Sequence, residues 1–171
     1  MTGYVQVYTG DGKGKTTAAL GLALRAAGAG MKVFFARFLK PGESSELTAL
    51  ERFADFVTVR SYGRHGFIRG EPGPEDRERA RNGFTEVRAA VASGAYPLVI
   101  LDEVNVAVHL GLLPAEEVLE LMDKRPGHVE LVLTGRQADS RIVERADLVT
   151  EMREVKHPYH AGVPARKGID A

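Results

Sequence analysis

The run VYTGDGKGKTTAALG, residues 7–21, passes from a strand pattern through a glycine-rich turn into a helix pattern. It is close to the phosphate-binding pattern G-x-x-x-x-G-K-[ST]. The first glycine of that pattern would fall at position 9, but this chain has Thr9 there and Gly10 one residue later. Gly10, Gly12 and Gly14 allow close approach of backbone amides to a phosphate, and the helix start adds further unpaired amides. The run predicts a phosphate-binding loop of unusual spacing.

Polar side chains at the end of this run supply the rest of a nucleotide site. Lys15 offers an ammonium group to a phosphate chain, and Thr16 or Thr17 offers a hydroxyl to Mg²⁺. The alternative is a glycine-rich turn between a strand and a helix that binds no ligand. The coincidence of glycines, a GKTT tetrapeptide, a strand and a helix favours the phosphate site.

The composition narrows the class of protein. The 171 residues suit a single domain, residues 1–171, whose last part, residues 156–171, reads as an irregular basic tail. The chain has 23 basic residues (Lys and Arg) and 23 acidic residues (Asp and Glu). This balance does not favour a nucleic-acid partner, because non-specific binding to phosphates requires an excess of positive charge. Without cysteine there is no disulfide framework and no thiolate metal site. No signal peptide or long apolar run is present, so we expect a cytoplasmic protein without a membrane partner.

Apolar runs alternate with helical patterns along the chain. We predict strands at residues 4–8, 33–39, 56–62, 98–101, 129–134 and 148–152, and helices at residues 16–27, 45–53, 74–93, 114–124 and 139–146. Such alternation implies parallel strands joined by right-handed crossovers. The expected fold is therefore α/β, a three-layer, P-loop NTPase-like (RecA-like) domain with a mostly parallel sheet. Ligands of such sheets bind at the carboxyl ends of the strands, where the glycine-rich run lies.

Two further features fall at carboxyl ends of predicted strands. Asp102 and Glu103 follow an apolar strand, where a carboxylate can hold Mg²⁺ directly or through water. The alternative is a pair of acids that simply marks the end of a strand. Arg136 follows the strand at 129–134, and the sequence leaves open whether it contacts phosphate or lies on the surface. Together these features predict a nucleoside triphosphate with Mg²⁺, but not the reaction.

A series of short motifs, in order along residues 4–170, carries a resemblance to a known family. The motifs are Thr9-Gly10-Asp11-Gly12-Lys13-Gly14-Lys15-Thr16-Thr17-Ala18-Ala19, Arg25-Ala26, Phe38-Leu39-Lys40, Leu101-Asp102-Glu103, Arg125-Pro126-Gly127-His128, Thr134-Gly135-Arg136, Ala146-Asp147, Glu151-Met152, Val155-Lys156-His157, Ala161-Gly162-Val163 and Gly168-Ile169-Asp170. With these motifs the chain resembles the P-loop-type cobalamin (corrinoid) adenosyltransferases, which move the 5′-deoxyadenosyl group of ATP onto cobalt.

The resemblance implies a reaction and a set of site residues. In this family the shortened loop is normal and holds ATP in the reverse sense from kinases, so that cobalt(I) attacks C5′ and triphosphate leaves. We accordingly expect Mg²⁺ to bind to Thr16 and to the pair Asp102 and Glu103, of which the sequence does not tell which acid contacts the ion. The residues expected to bind ATP are Thr9, Gly10, Asp11, Gly12, Lys13, Gly14, Lys15, Thr16, Thr17 and Arg136. Lys15 is the expected catalytic cation, because it neutralises the leaving triphosphate.

The corrinoid side of the site shows departures from the family pattern. Gly66-Phe67 matches a Gly-Phe of the family, which makes Phe67 the candidate for displacing an axial cobalt ligand; the alternative is that Phe67 only anchors its loop. Arg69 stands where characterised relatives have Trp. An N-terminal extension that covers the corrinoid in some relatives is not expected here. A dimer partner, or the basic tail with Lys156, Arg166 and Lys167, could cover the site instead.

The resemblance also implies binding partners, and two other functions remain as alternatives. The resemblance implies ATP and a corrinoid as substrates, an external reductant such as a flavoprotein, and a homodimer. The alternative from another class is a RecA-like ATP-hydrolysing motor or nucleotide switch, and a third possibility is a small-molecule kinase. The products separate them, because only the adenosyltransferase forms triphosphate and a cobalt–carbon bond.

Overall fold

The chain folds into one parallel β-sheet with helices on both faces. A computed structural model describes residues 2–40, 44–63 and 71–170. Within these residues six strands form a sheet in the order β3-β2-β4-β5-β1-β6. The strands are β1 Val5–Thr9, β2 Val33–Arg37, β3 Val57–Ser61, β4 Leu98–Asp102, β5 Glu130–Thr134 and β6 Leu148–Glu151. Neighbouring strands run parallel, which confirms the predicted α/β fold.

The helices agree with the prediction except at one place. They are α1 Lys15–Gly28, α2 Ser45–Leu50, α3 Pro74–Ser93, α4 Val104–His109, α5 Ala115–Lys124 and α6 Ser140–Arg145. The sequence did not predict α4, because its six residues, VNVAVH, are rich in β-branched side chains that favour strands. No helix within the described ranges is long and apolar enough to cross a lipid bilayer.

The apolar strands contribute side chains to two separate hydrophobic cores, one on each face of the sheet. Successive side chains of a strand point to opposite faces. Val99 and Leu101 of β4 accordingly pack into a core with α3, α4, α5 and α6, whereas Leu98 and Ile100 pack into a second core with α1. All five residues of β4 are buried, as expected for a strand covered on both faces. This arrangement is the expected three-layer architecture.

The strand order brings the polar ends of four strands together. The strands β2, β4, β5 and β1 are consecutive neighbours in the sheet. Arg37 at the end of β2 is in register with Asp102, and Tyr8 of β1 is in register with Thr134. Residues that immediately follow these strands therefore meet at one edge of the sheet, although they lie far apart in the sequence.

Two glycines within helices make a matched stability test. A Cβ atom at Gly83 of α3 would lie 2.4 Å from the ring of Tyr62, whereas a Cβ atom at Gly21 of α1 meets nothing within 4 Å. The Tyr62 ring is held in place, because its hydroxyl donates to Glu86 at 2.8 Å and the ring packs on Phe38. Gly83 therefore keeps α3 close to the end of β3.

We predict opposite effects of alanine at these two positions. Gly21→Ala should raise the free energy of unfolding by about 1 kcal/mol, because alanine restricts the unfolded chain and favours helix. Gly83→Ala should lower it by about 1–2 kcal/mol, because overpacking against Tyr62 outweighs the same helix gain. Urea unfolding monitored by circular dichroism measures both values. Equal stabilisation of the two variants would contradict the packing of Gly83 against Tyr62.

Candidate functional site

The glycine-rich loop joins the end of β1 to the first turn of α1. Gly14 adopts a φ of 124°, a left-handed conformation that favours glycine, and α1 begins directly after it at Lys15. No side chain caps the first turn of α1, and that turn contains no acidic residue. The amide groups at this helix end are thus available to an anion, and the helix dipole favours negative charge there.

The spacing of the loop follows from its contact with the end of β6. Thr9 is still part of β1, where it is in register with Glu151, so this position needs no glycine. Gly10 has a φ of 92°, and a Cβ atom there would lie 2.4 Å from the carbonyl oxygen of Met152. Gly12 donates its amide to the same carbonyl at 2.7 Å. The turn begins one residue later than in the usual pattern because β1 extends through Thr9.

Lys15 holds its ammonium group at the centre of the loop. Its Nζ donates to the carbonyl oxygens of Gly10 at 2.6 Å and Gly12 at 2.7 Å. Burial lowers the pKa of Lys15, and the positive charge of Arg136 lowers it further, while Glu103 and Asp11 oppose this change. The ammonium group is therefore poorly solvated, which favours its pairing with an anion.

Beside the loop, a buried carboxylate links three other segments. Asp102 is fully buried at the end of β4. Its Oδ1 accepts hydrogen bonds from Thr16 Oγ1 at 2.8 Å and Thr134 Oγ1 at 2.7 Å. Its Oδ2 accepts one from Lys40 Nζ at 2.9 Å. The carboxylate thus connects α1, β5 and the segment after β2.

Glu103 adds a second carboxylate to this cluster. Its Oε1 lies 3.4 Å from Lys40 Nζ, and its amide donates to Thr134 Oγ1 at 3.1 Å. Glu103 has a φ of 63°, which is uncommon for a residue with a side chain. This backbone conformation places both acids of the Asp-Glu pair near the same ammonium group.

A cleft of about 710 Å³ opens over the loop and this cluster. Its volume is within the range of small-molecule sites, which is roughly 300–1,000 Å³. Of the residues predicted from the sequence, it is lined by Asp11, Gly12, Lys13, Gly14, Lys15, Thr16, Thr17, Glu103 and Arg136. Thr9, Gly10 and Asp102 are not part of this lining, and the buried carboxylate of Asp102 contacts the lining residue Thr16.

The C-terminal tail forms the opposite wall of the cleft. The sequence predicted an irregular tail; in the structure it includes a 3₁₀ turn, Pro158–Ala161, and is exposed. Lys13 fastens it to the loop by donating to the carbonyl oxygen of Ile169 at 2.5 Å and to the carboxylate of Asp170. Hydrogen bonds from Arg166 and Lys13 hold the pKa of Asp170 well below its usual range. The tail is therefore part of the candidate site.

Sequence reasoning assigned no site role to two of these residues. Thr134 and Lys40 both contact Asp102, yet neither is near it in the sequence. Thr134 ends β5 and Lys40 follows β2, and such positions at the carboxyl ends of strands are typical of site residues. The order of the strands in the sheet is what brings both side chains to Asp102. Gly66, Phe67 and Arg69 lie outside the described residues.

Comparison with known proteins agrees with this geometry. A family model described as ATP:corrinoid adenosyltransferase BtuR/CobO/CobP matches residues 1–171. The chain is 36% identical to the corrinoid adenosyltransferase of Pseudomonas aeruginosa and 37% identical to that of Escherichia coli K12, over 98% of this chain and 83% and 85% of those proteins. It is also 38% identical to an uncharacterised protein of Nostoc sp., over 92% of this chain but only 46% of that protein's length. The resemblance inferred from the motifs is confirmed, and the chain belongs to the ATP:corrinoid adenosyltransferase family.

Proposed function

We propose that this protein transfers the 5′-deoxyadenosyl group of ATP to the cobalt(I) of a corrinoid and releases triphosphate. The observation that carries the proposal is the uncapped, glycine-rich start of α1, which faces a cleft of ligand size in a chain of this family. The relatives named above as corrinoid adenosyltransferases support the same activity.

The phosphate chain of ATP binds at the loop. The amides of α1 and the ammonium group of Lys15 neutralise the triphosphate, and Arg136, which lines the same cleft, adds a second cation. This charge compensation matters most as the bond between C5′ and oxygen breaks, because the negative charge on the leaving group then increases. No protein nucleophile is required, since the corrinoid supplies the attacking cobalt.

The residues beside the loop fit a divalent cation with oxygen ligands. Thr16 offers a hydroxyl group and Asp102 and Glu103 offer carboxylates, a hard donor set that suits Mg²⁺. Among the described residues, no group of three or more His, Cys, Asp or Glu side chains is arranged to hold a metal ion, so the remaining ligands would be phosphate oxygens and water. When bound, Mg²⁺ would polarise the phosphate oxygens and stabilise the leaving triphosphate.

The corrinoid is placed by analogy with the family on the loop that carries Phe67. The described residue at the start of that loop, Gly63, packs against the backbone of Lys40, which also borders the cleft. Phe67 would then disfavour an axial cobalt ligand and ease reduction of cobalt(II). Arg69 offers no second aromatic ring at the position of the family's Trp. A homodimer and an external reductant such as a flavoprotein are further parts of the proposal and come from the resemblance alone.

The first prediction from the proposed function concerns the products and separates this function from its alternatives. Incubation with ATP, Mg²⁺ and a chemically reduced corrinoid should yield triphosphate and a cobalt–carbon bond in equal amounts. Phosphate analysis by ³¹P NMR and the corrinoid absorption spectrum measure the two products. Formation of ADP and phosphate without the cobalt–carbon bond would instead indicate a motor, switch or kinase, which the comparisons do not favour.

The second prediction concerns Lys15. Lys15→Ala should lower kcat by about a hundredfold or more, because the leaving triphosphate loses a preorganised counter-charge. Lys32→Ala is the matched control, since Lys32 precedes β2 at the opposite edge of the sheet and contacts Asp55 and Phe56. A near-normal kcat for Lys15→Ala would place the chemistry away from this loop.

The third prediction concerns Phe67. Phe67→Ala should slow the reaction that starts from cobalt(II) far more than the reaction that starts from pre-reduced cobalt(I), because the side chain is proposed to act on the axial ligand. Initial rates from both starting states, measured with the same reductant in excess, make the comparison. Equal losses from the two states would reduce Phe67 to an anchor of its loop.

A further inference from the structure

Lys40 places a positive charge where the proposed metal site has its ligands. Its Nζ lies 2.9 Å from Thr16 Oγ1, 2.9 Å from Asp102 Oδ2 and 3.4 Å from Glu103 Oε1. These are the three residues whose oxygen atoms are proposed to face Mg²⁺. An ammonium group and a metal ion cannot share such a position, because like charges at this distance repel strongly.

The backbone around Lys40 holds the side chain in this direction. Leu39 has a φ of 63°, a strained conformation for a leucine, and turns the chain just before Lys40. Phe38 donates its amide to the carbonyl oxygen of Asp102 at 2.9 Å, which ties this segment to β4. A Cβ atom at Gly63 would lie 2.3 Å from the Lys40 backbone nitrogen, so Gly63 packs closely on Lys40. The contact between Lys40 and Asp102 is thus built into the sheet edge.

The burial of the Asp102 carboxylate explains why a positive charge is needed beside it. Asp102 is fully buried, and a buried carboxylate without a positive partner is strongly destabilised. Lys40 supplies that partner, while 29% of its own side chain remains exposed to the cleft. The lysine can therefore turn from the carboxylate towards a phosphate group in the cleft without leaving an ion unpaired, provided that a metal ion takes its place beside Asp102.

We propose that Lys40 is an internal counter-ion that makes metal binding conditional on the nucleotide. Without nucleotide, its ammonium group neutralises Asp102 and opposes binding of a divalent cation alone. When the cation arrives with a triphosphate, the ammonium group moves to a phosphate oxygen and the cation takes over Thr16 and the carboxylates. The inference rests on the proposed function for the identity of the triphosphate site, but not on transfer to cobalt.

Binding of Mn²⁺ to the nucleotide-free chain tests the proposal, with the free ion measured by electron paramagnetic resonance. Lys40→Met should bind Mn²⁺ about tenfold or more tightly than the unmodified protein, because the competing charge is gone. Lys32→Met is the matched control: it removes a lysine that contacts Asp55 and Phe56, away from the cleft, and should leave the Mn²⁺ affinity unchanged. The double variant with Lys40→Met and Asp102→Asn should lose the gain.

The melting temperature provides a second measurement, which separates an effect on metal binding from an effect on folding. Mg²⁺ should raise the melting temperature of Lys40→Met more than that of the unmodified protein, because ligand binding to the native state stabilises it. If the methionine variant does not fold, Lys40→Gln provides the same comparison. Mn²⁺ affinity that is unchanged or weaker in the variant that folds would overturn the proposal.

The outcomes also separate this inference from the proposed function. Tighter Mn²⁺ binding by Lys40→Met, together with hydrolysis of ATP to ADP instead of adenosyl transfer, would support the role of Lys40 as a counter-ion and contradict the proposed transferase activity. Adenosyl transfer with no change in Mn²⁺ affinity would keep the transferase and reject the counter-ion.

Discussion

The buried carboxylate of Asp102 is the interaction on which the site depends. It accepts hydrogen bonds from Thr16 on α1, Thr134 on β5 and Lys40 after β2. Removing one partner of a fully buried ion pair lowers the free energy of unfolding by about 3–5 kcal/mol. Because Lys40 is partly exposed, we expect a loss at the lower end of this range for the pair of Lys40 and Asp102. The carboxylate therefore fixes the glycine-rich loop and the start of α1 relative to the neighbouring strands.

The glycine-rich loop, in turn, depends on the C-terminal part of the chain. Its shape is set by the carbonyl oxygen of Met152, which lies too close to Gly10 and Gly12 for larger residues. Lys13 binds Ile169 and Asp170 of the tail, and the tail forms one wall of the cleft. The phosphate-binding motif is thus only half of the candidate nucleotide site, and removal of the tail would alter the cleft and take away these two partners of Lys13.

Local patterns predicted the elements, whereas tertiary contacts decided the site. The apolar strands such as β4 were predictable because burial on both faces requires continuous apolar residues. The family was predictable because many short motifs occur in one order. The helix α4 was not, since its valines favour a strand and its packing against β5 and the surrounding core overrides that preference. The contacts of Lys40 and Thr134 with Asp102 follow from the insertion of β4 and β5 between β2 and β1, which no local pattern encodes.

Three lysines that line the cleft are bound by oxygen atoms of the protein itself. Lys15 is bound by loop carbonyl oxygens, Lys40 by Asp102 and Lys13 by Asp170. A ligand therefore gains only the difference between its own contacts and those it replaces, because each ammonium group must first leave a protein oxygen. A triphosphate with a bound cation can replace several of these contacts at once, since it brings both anionic oxygens for the lysines and a positive charge for Asp102. A ligand with a single phosphate can replace few of them, so this exchange of partners favours the long phosphate chain that the proposed reaction releases.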